Sequence, residues 1–163
     1  PRYIVLVRDL RPMLVSHYEK FKDQYGCGFS EYLKGDLNKR FVIDIWWCIR
    51  FQNTWGRVIA DHPENFIVVM YEDMLKDTLR ELEKINSFLG LNLPRQSLLY
   101  GMQESTKDKM KVKPGRPVHK LRKERVAIRT DSPLHQATFT DTDHEFLRET
   151  CRKYLKYDFG YKY

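Results

Sequence analysis

The sequence predicts an α/β fold, a parallel sheet flanked by helices. Two unbroken apolar runs, Tyr3-Ile4-Val5-Leu6-Val7 and Phe66-Ile67-Val68-Val69-Met70, lack polar alternation. They read as strands buried on both faces, as in parallel sheets. Each is followed by residues at helical spacing, and this order implies parallel pairing through right-handed crossovers. With 163 residues, 42% of them hydrophobic, the chain is one domain or part of one, and it is too apolar for intrinsic disorder.

The strand-helix unit over residues 1–25 comes first. Pro1 sits where a strand tolerates it. From Pro12 onward Leu14, Tyr18, Phe21 and Tyr25 recur at helical intervals. Pro12 suits the first helical position, where its missing N–H has no partner to lose. Gly26-Cys27-Gly28 ends the helix, and residues 29–39 read as irregular with a turn at Gly35-Asp36. Residues 41–56 form a buried aromatic helix, in which Trp46 and Trp47 either pack the core or face a substrate. Residues 61–65 are a loop. The second strand-helix unit spans 66–90, where Thr78 and Glu81 have capping-box spacing, Leu79, Leu82, Ile85 and Leu89 form a stripe, and Gly90 is the stop. A C-terminal helix over 142–157 has Thr142 and Glu145 as its box and Gly160 as its end. Tyr161 and Tyr163 pack back or fray.

The charge is uneven. The chain carries 29 basic and 22 acidic residues, a net charge of +7. Within the loop predicted over 103–138, residues 107–129 hold ten Lys/Arg against Asp108 and Glu124. This basic segment is either a solvated loop or a phosphate clamp. An anionic partner follows, which by charge alone is nucleic acid or a phosphorylated or sulfated small molecule. Cys27, Cys48 and Cys151 form no metal-ligand spacing and no disulfide framework, so no metal site is expected and buried thiols are. No apolar run reaches membrane-spanning length and no signal peptide is visible. The chain opens on Pro1 almost directly at a strand, so an N-terminal portion of the domain is expected to precede it.

In such sheets ligands bind beyond the carboxyl ends of the strands. Arg8-Asp9 and Tyr71-Glu72-Asp73 both fall there. The first turn of the following helix has unpaired N–H groups and the positive end of the dipole. Arg8 offers forked donors matched to phosphate oxygens. Ser16 follows about one turn into the helix, roughly 6 Å along it. Together they form a phosphate site without a glycine-rich loop. The competing reading pairs Arg8 with Asp9 or a C-terminal carboxylate and lets Ser16 bond back to its own helix.

The stretch from Tyr3 to Tyr18 resembles the 3′-phosphate-binding segment of the sulfotransferases that use 3′-phosphoadenosine 5′-phosphosulfate (PAPS). There an apolar strand leads to Arg-Asp-Pro-Arg-Asp and then Val-Ser-x-Tyr. Leu10 and Pro12 depart from that pattern, while the Arg-to-Ser spacing is kept. Phe66 to Asp73 with the helix ending Phe88-Leu89-Gly90-Leu91 is similar to a second family segment, and Phe139-Thr140 through Phe159-Gly160-Tyr161 to a third. The resemblance implies the P-loop-nucleotide-kinase-like sulfotransferase fold, here lacking its N-terminal portion. It implies Arg8 and Ser16 on the 3′-phosphate of PAPS or of its product 3′-phosphoadenosine 5′-phosphate (PAP), and Tyr71 near the adenine. Arg129 is the survivor of the family's late Arg-Lys-Gly loop, with Lys123 and Arg125 as substitutes.

The implied activity is transfer of a sulfuryl group to the hydroxyl or amine of a small-molecule or carbohydrate acceptor. The family's 5′-phosphosulfate loop and catalytic base lie upstream of the matched strand, so no catalytic residue is assigned here and the five histidines carry no role. Cytoplasmic location is expected, or the Golgi lumen if an anchor precedes the chain. A rival reading is a basic module that binds nucleic acid through 107–129. The absence of Phe, Tyr or Trp from that segment counts against single-strand stacking, so no nucleic-acid partner is expected. No Gly-x4-Gly-Lys-Ser/Thr supports a nucleotide kinase.

Overall fold

The computed structural model of the chain describes residues 1–35, 41, 43–106 and 138–163. In chain order these form β1 (Tyr3–Val7), α1 (Leu10–Tyr25), α2 (Phe29–Lys34), α3 (Ile45–Asp61), a 3₁₀ turn (Pro63–Asn65) and β2 (Phe66–Met70). Then come α4 (Tyr71–Lys76), α5 (Thr78–Leu89), α6 (Arg95–Glu104) and α7 (Asp141–Tyr154). They fall into two compact units, one running to Glu72 and including 138–163, the other beginning at Asp73. The basic segment 107–129, with Lys123, Arg125 and Arg129, lies outside the described residues.

In the first unit β1 and β2 pair in parallel, Tyr3 opposite Phe66 and Val7 opposite Met70. The predicted pairing is present, and burial on both faces is partial. Val5, Val7 and Val69 are buried, whereas Ile4 and Leu6 are 45% and 53% exposed. Val5 and Val7 share one face of the sheet, while Val69, paired with Leu6, is buried on the other, so each face is packed in part.

Asp9, not Leu10 or Arg11, caps α1, so Pro12 stands at the third helical position rather than the first. It still lies within the turn whose N–H groups lack intrahelical partners. Gly26 closes the helix at φ 61°, a left-handed conformation that glycine adopts without strain. The stretch expected to be irregular contains α2, with Phe29, Tyr32 and Leu33 buried. Its 6 residues between two glycines are too few to show a period. The aromatic helix begins at Ile45 behind an Asp44 cap and runs to Asp61, later at both ends than predicted. Thr140 caps α7 in a capping box with Asp143, displacing the predicted Thr142–Glu145 pair. That helix ends at Tyr154, and Gly160 belongs to a separate turn beyond it.

One core joins α1, α2, α3 and α7, through Leu10, Leu14, Tyr32, Leu33, Ile45, Cys48 and Leu147. Tyr32 has no exposed surface and its hydroxyl donates to Ile43 O. Burial raises its pKa far above the ordinary value.

The second unit is built on α5. Asp77 is its cap, accepting from Arg80 N–H at 3.1 Å, and Thr78 instead bonds back to Met74 O at 2.7 Å. Gly90 ends the helix at φ 68° as the sequence suggests. Asn86 then grips Leu93 from both sides, donating to its carbonyl and accepting from its N–H, each at 3.0 Å. This leads the chain into α6, which sequence reading does not anticipate.

Candidate functional site

The site starts from the two strand ends. β1 stops at Val7 and α1 begins at Leu10, so Arg8 and Asp9 make the turn between them. β2 stops at Met70 and Tyr71 opens α4 at once. Parallel pairing sets the two exits side by side. The Arg8 guanidinium carbon lies 4.4 Å from the centre of the Tyr71 ring, a cation–π contact. Arg8 Nε is buried with no hydrogen-bond partner among the described residues. A buried donor left unmet costs about 1–3 kcal/mol, and an anion would satisfy it.

The helix start itself is already occupied. Asp9 N–H donates to Glu72 Oε1 at 3.3 Å, and Leu10 N–H to the Tyr163 hydroxyl at 3.3 Å. Arg11 N–H donates to Asp9 Oδ1 at 2.9 Å, Pro12 has no N–H, and Met13 N–H bonds Asp9 O at 3.2 Å. The unpaired backbone donors expected from sequence are therefore taken, and anion binding here falls to side chains. Asp9 pairs with Arg11, whose Nη2 is 2.6 Å from Oδ2, rather than with Arg8.

Glu72 is a hub, since its Oε2 accepts the Tyr161 hydroxyl. Burial pushes the Tyr161 pKa well up, and the bond to Glu72 adds to it. Burial raises Tyr163 likewise, opposed by hydrogen bonds from the Leu10 N–H and the Gln52 side chain. Ser16 is half buried on the second turn of α1. Of the four residues predicted to bind cofactor, the fold thus joins Arg8 and Tyr71 directly and sets Ser16 on the helix that leaves Arg8. Arg129 is outside the described residues.

A cavity of about 340 Å³ opens beside Arg8 and Tyr71, walled mostly by apolar side chains that include Leu6, Met13, Trp47 and Phe51. Gln52 reaches it with its Oε1 buried and unpartnered among the described residues. The two readings of the tryptophans therefore divide: Trp47 faces the cavity, while Trp46 packs edge-on against Tyr154 at 5.2 Å. His17 also lines the cavity, its Nε2 2.7 Å from the Tyr25 hydroxyl, and burial lowers its pKa. Cys48 and Cys151 are buried free thiols, and burial pushes Cys151 up to about 11. Among the described residues no cluster could hold a metal ion, and no helix is long and apolar enough to cross a membrane.

Sequence reasoning placed Glu72 at the site, within the cluster after the second strand, but did not find Gln52 or the tyrosine hydroxyls as parts of it. Tyr163 meets Leu10 across 153 residues, and no local pattern signals that.

Comparison with known proteins gives the family. The chain is similar to sulfotransferase 2A2 of Rattus norvegicus, 33% identical over 60% of this chain and 34% of the relative. It is similar to sulfotransferase 2A6 of Mus musculus, 33% identical over 68% of this chain and 39% of the relative. Sulfotransferase 2A1 of Homo sapiens is 28% identical over 68% of this chain and 39% of its own length. The chain thus spans well under half the length of the curated relatives it matches. No solved structure matches it significantly. The model of the family described as "Sulfotransferase domain" matches residues 1–158, and the chain belongs to the sulfotransferase family.

Proposed function

We infer that the exits of β1 and β2 bind the 3′-phosphate and adenine end of PAPS, in a protein that transfers a sulfuryl group to an acceptor hydroxyl or amine. PAPS-dependent sulfuryl transfer is the general reaction of the family. The observation that carries the reading is Arg8: a guanidinium seated on Tyr71, with a buried Nε that has no partner among the described residues. Its forked donors suit the phosphate oxygens, and the Ser16 hydroxyl adds a further donor. Tyr71 supports the guanidinium on one side of its ring and offers apolar surface to the base.

In the reaction, the acceptor oxygen or nitrogen bonds to sulfur while the bond from sulfur to the 5′-phosphate oxygen breaks. The acceptor proton passes to a base and PAP departs. This chain grips the end of the donor remote from that bond. Binding energy from a remote group orients the reacting one. The apolar cavity beside Arg8 supplies part of an acceptor wall through Trp47 and Phe51.

Titration calorimetry on the full-length protein tests this. PAP should bind more tightly than 5′-AMP, and Arg8→Ala should weaken PAP by roughly tenfold to a hundredfold, as loss of a charged hydrogen bond does. Ser16→Ala should weaken it by several-fold. Equal affinity for PAP and 5′-AMP, or indifference to both substitutions, would sink the reading. Preference for an oligonucleotide, with a steep salt dependence, would move the function to the basic segment.

A further inference from the structure

Past α7 the chain doubles back onto the anion site. Asn53 of α3 clamps it first, donating to Tyr154 O at 2.8 Å and accepting from Lys156 N–H at 2.7 Å. A tight turn follows, in which Tyr161 N–H donates to Asp158 O at 3.1 Å and Gly160 N–H to Asp158 Oδ1 at 2.9 Å. Its two central residues, Phe159 and Gly160, have φ of 54° and 89°. Glycine adopts such angles freely, but phenylalanine does so only under constraint. Strain of this kind persists where surrounding contacts over-determine it, and it concentrates at functional sites. Here the turn delivers two tyrosines to the start of α1. The Tyr161 hydroxyl donates to Glu72, which holds Asp9 N–H. The Tyr163 hydroxyl holds Leu10 N–H, and its ring lies 5.6 Å from the Arg11 guanidinium carbon.

We propose that Tyr161 and Tyr163 are positioning residues for the anion site, fixing the turn between β1 and α1 so that Arg8 is presented to the 3′-phosphate. This rests on the reading of that site as a 3′-phosphate site. The two hydroxyls act on consecutive backbone N–H groups directly after Arg8, one through Glu72 and one by itself. With both donors held, the turn has one conformation, and the Arg8 side chain leaves it in one direction. Tyr161 also ties the Glu72 carboxylate to this backbone, which leaves the Arg8 charge to the ligand.

The test is calorimetry of PAP and 5′-AMP on the full-length protein, with Tyr161→Phe and Tyr163→Phe, each of which removes one oxygen. PAP affinity should fall by about tenfold in each, the loss of a bond to a charged or backbone partner, while 5′-AMP binding changes by less than about twofold. Glu72→Gln keeps an acceptor oxygen and should fall between wild type and Tyr161→Phe. Adding Tyr161→Phe to Glu72→Gln should cost less than the two separate losses combined, because they share one contact. If one variant fails to fold, the other and the Glu72 pair decide the question. A wild-type protein that prefers PAP, with tyrosine variants that keep the same PAP to 5′-AMP ratio, overturns this inference alone. Equal weakening of both nucleotides together with a lower Tm also overturns it, since that is a merely structural effect. A wild type without preference for PAP overturns the site reading and this inference with it.

Discussion

The role proposed for Arg8 follows from what its neighbours leave undone. Asp9 is satisfied by Arg11, and Glu72 by Asp9 N–H and Tyr161, so the adjacent carboxylates are already occupied. His17, across the cavity, makes a separate prediction. Burial, with Lys20 adding, lowers its pKa below 6.5. Well above pH 6.5 it is neutral folded and unfolded and adds no pH dependence. As pH falls below that, the unfolded chain takes up the proton first, so stability declines until the folded value is passed. Urea unfolding at about pH 7.5 and about pH 5.5 should show a smaller loss in His17→Gln than in the wild type. At this scale the sequence showed Arg8 and Tyr71 well, because residues at strand ends are defined by the strands. It could not show that Asp9 would choose Arg11 over Arg8. Both are within reach along the chain, and a two-residue geometry decides between them.

Among elements, α3 packs closely on the segment after α7 at Gly56. A Cβ at Gly56 would come within 2.2 Å of the Tyr157 ring and 2.4 Å of its Cβ. An alanine in a helix interior ordinarily stabilises by about 1 kcal/mol over glycine. Here overpacking outweighs that gain, and Gly56→Ala should destabilise by about 1–3 kcal/mol in thermal denaturation. The opposite sign would show that Tyr157 moves aside at little cost. Helices were legible in the sequence wherever they are long, while their starts were not. Asp77 and Thr78 stand together, as do Thr140, Asp141 and Thr142, and any of them can cap. Packing of the helix chooses the one whose side chain faces the first turn. The short α2 and the uncapped α6 give no such signal, which is why they were missed.

At the scale of the whole molecule, the parallel order was legible because two unbroken apolar runs allow little else. The exposure of Ile4 and Leu6 on the β1 side of the sheet was not. Ile4 and Leu6 stand together there, and an apolar patch of this kind binds hydrophobic dyes. The chain spanning residues 1–163 should enhance anilinonaphthalene sulfonate fluorescence, and Ile4→Ser with Leu6→Ser should reduce it without loss of helical circular dichroism. Unchanged fluorescence would place the dye site elsewhere. The ladder that pairs Tyr3 with Phe66 has one further consequence. Asp9 and Glu72, like every pair in the ladder, are 63 residues apart. Arg8 and Tyr71 keep the same offset, so the ladder's register sets which two residues leave the strands side by side. A change in length of the helices between the strands therefore leaves Arg8 and Tyr71 side by side. Loss of a single residue inside either strand would shift the register by one and part Arg8 from Tyr71.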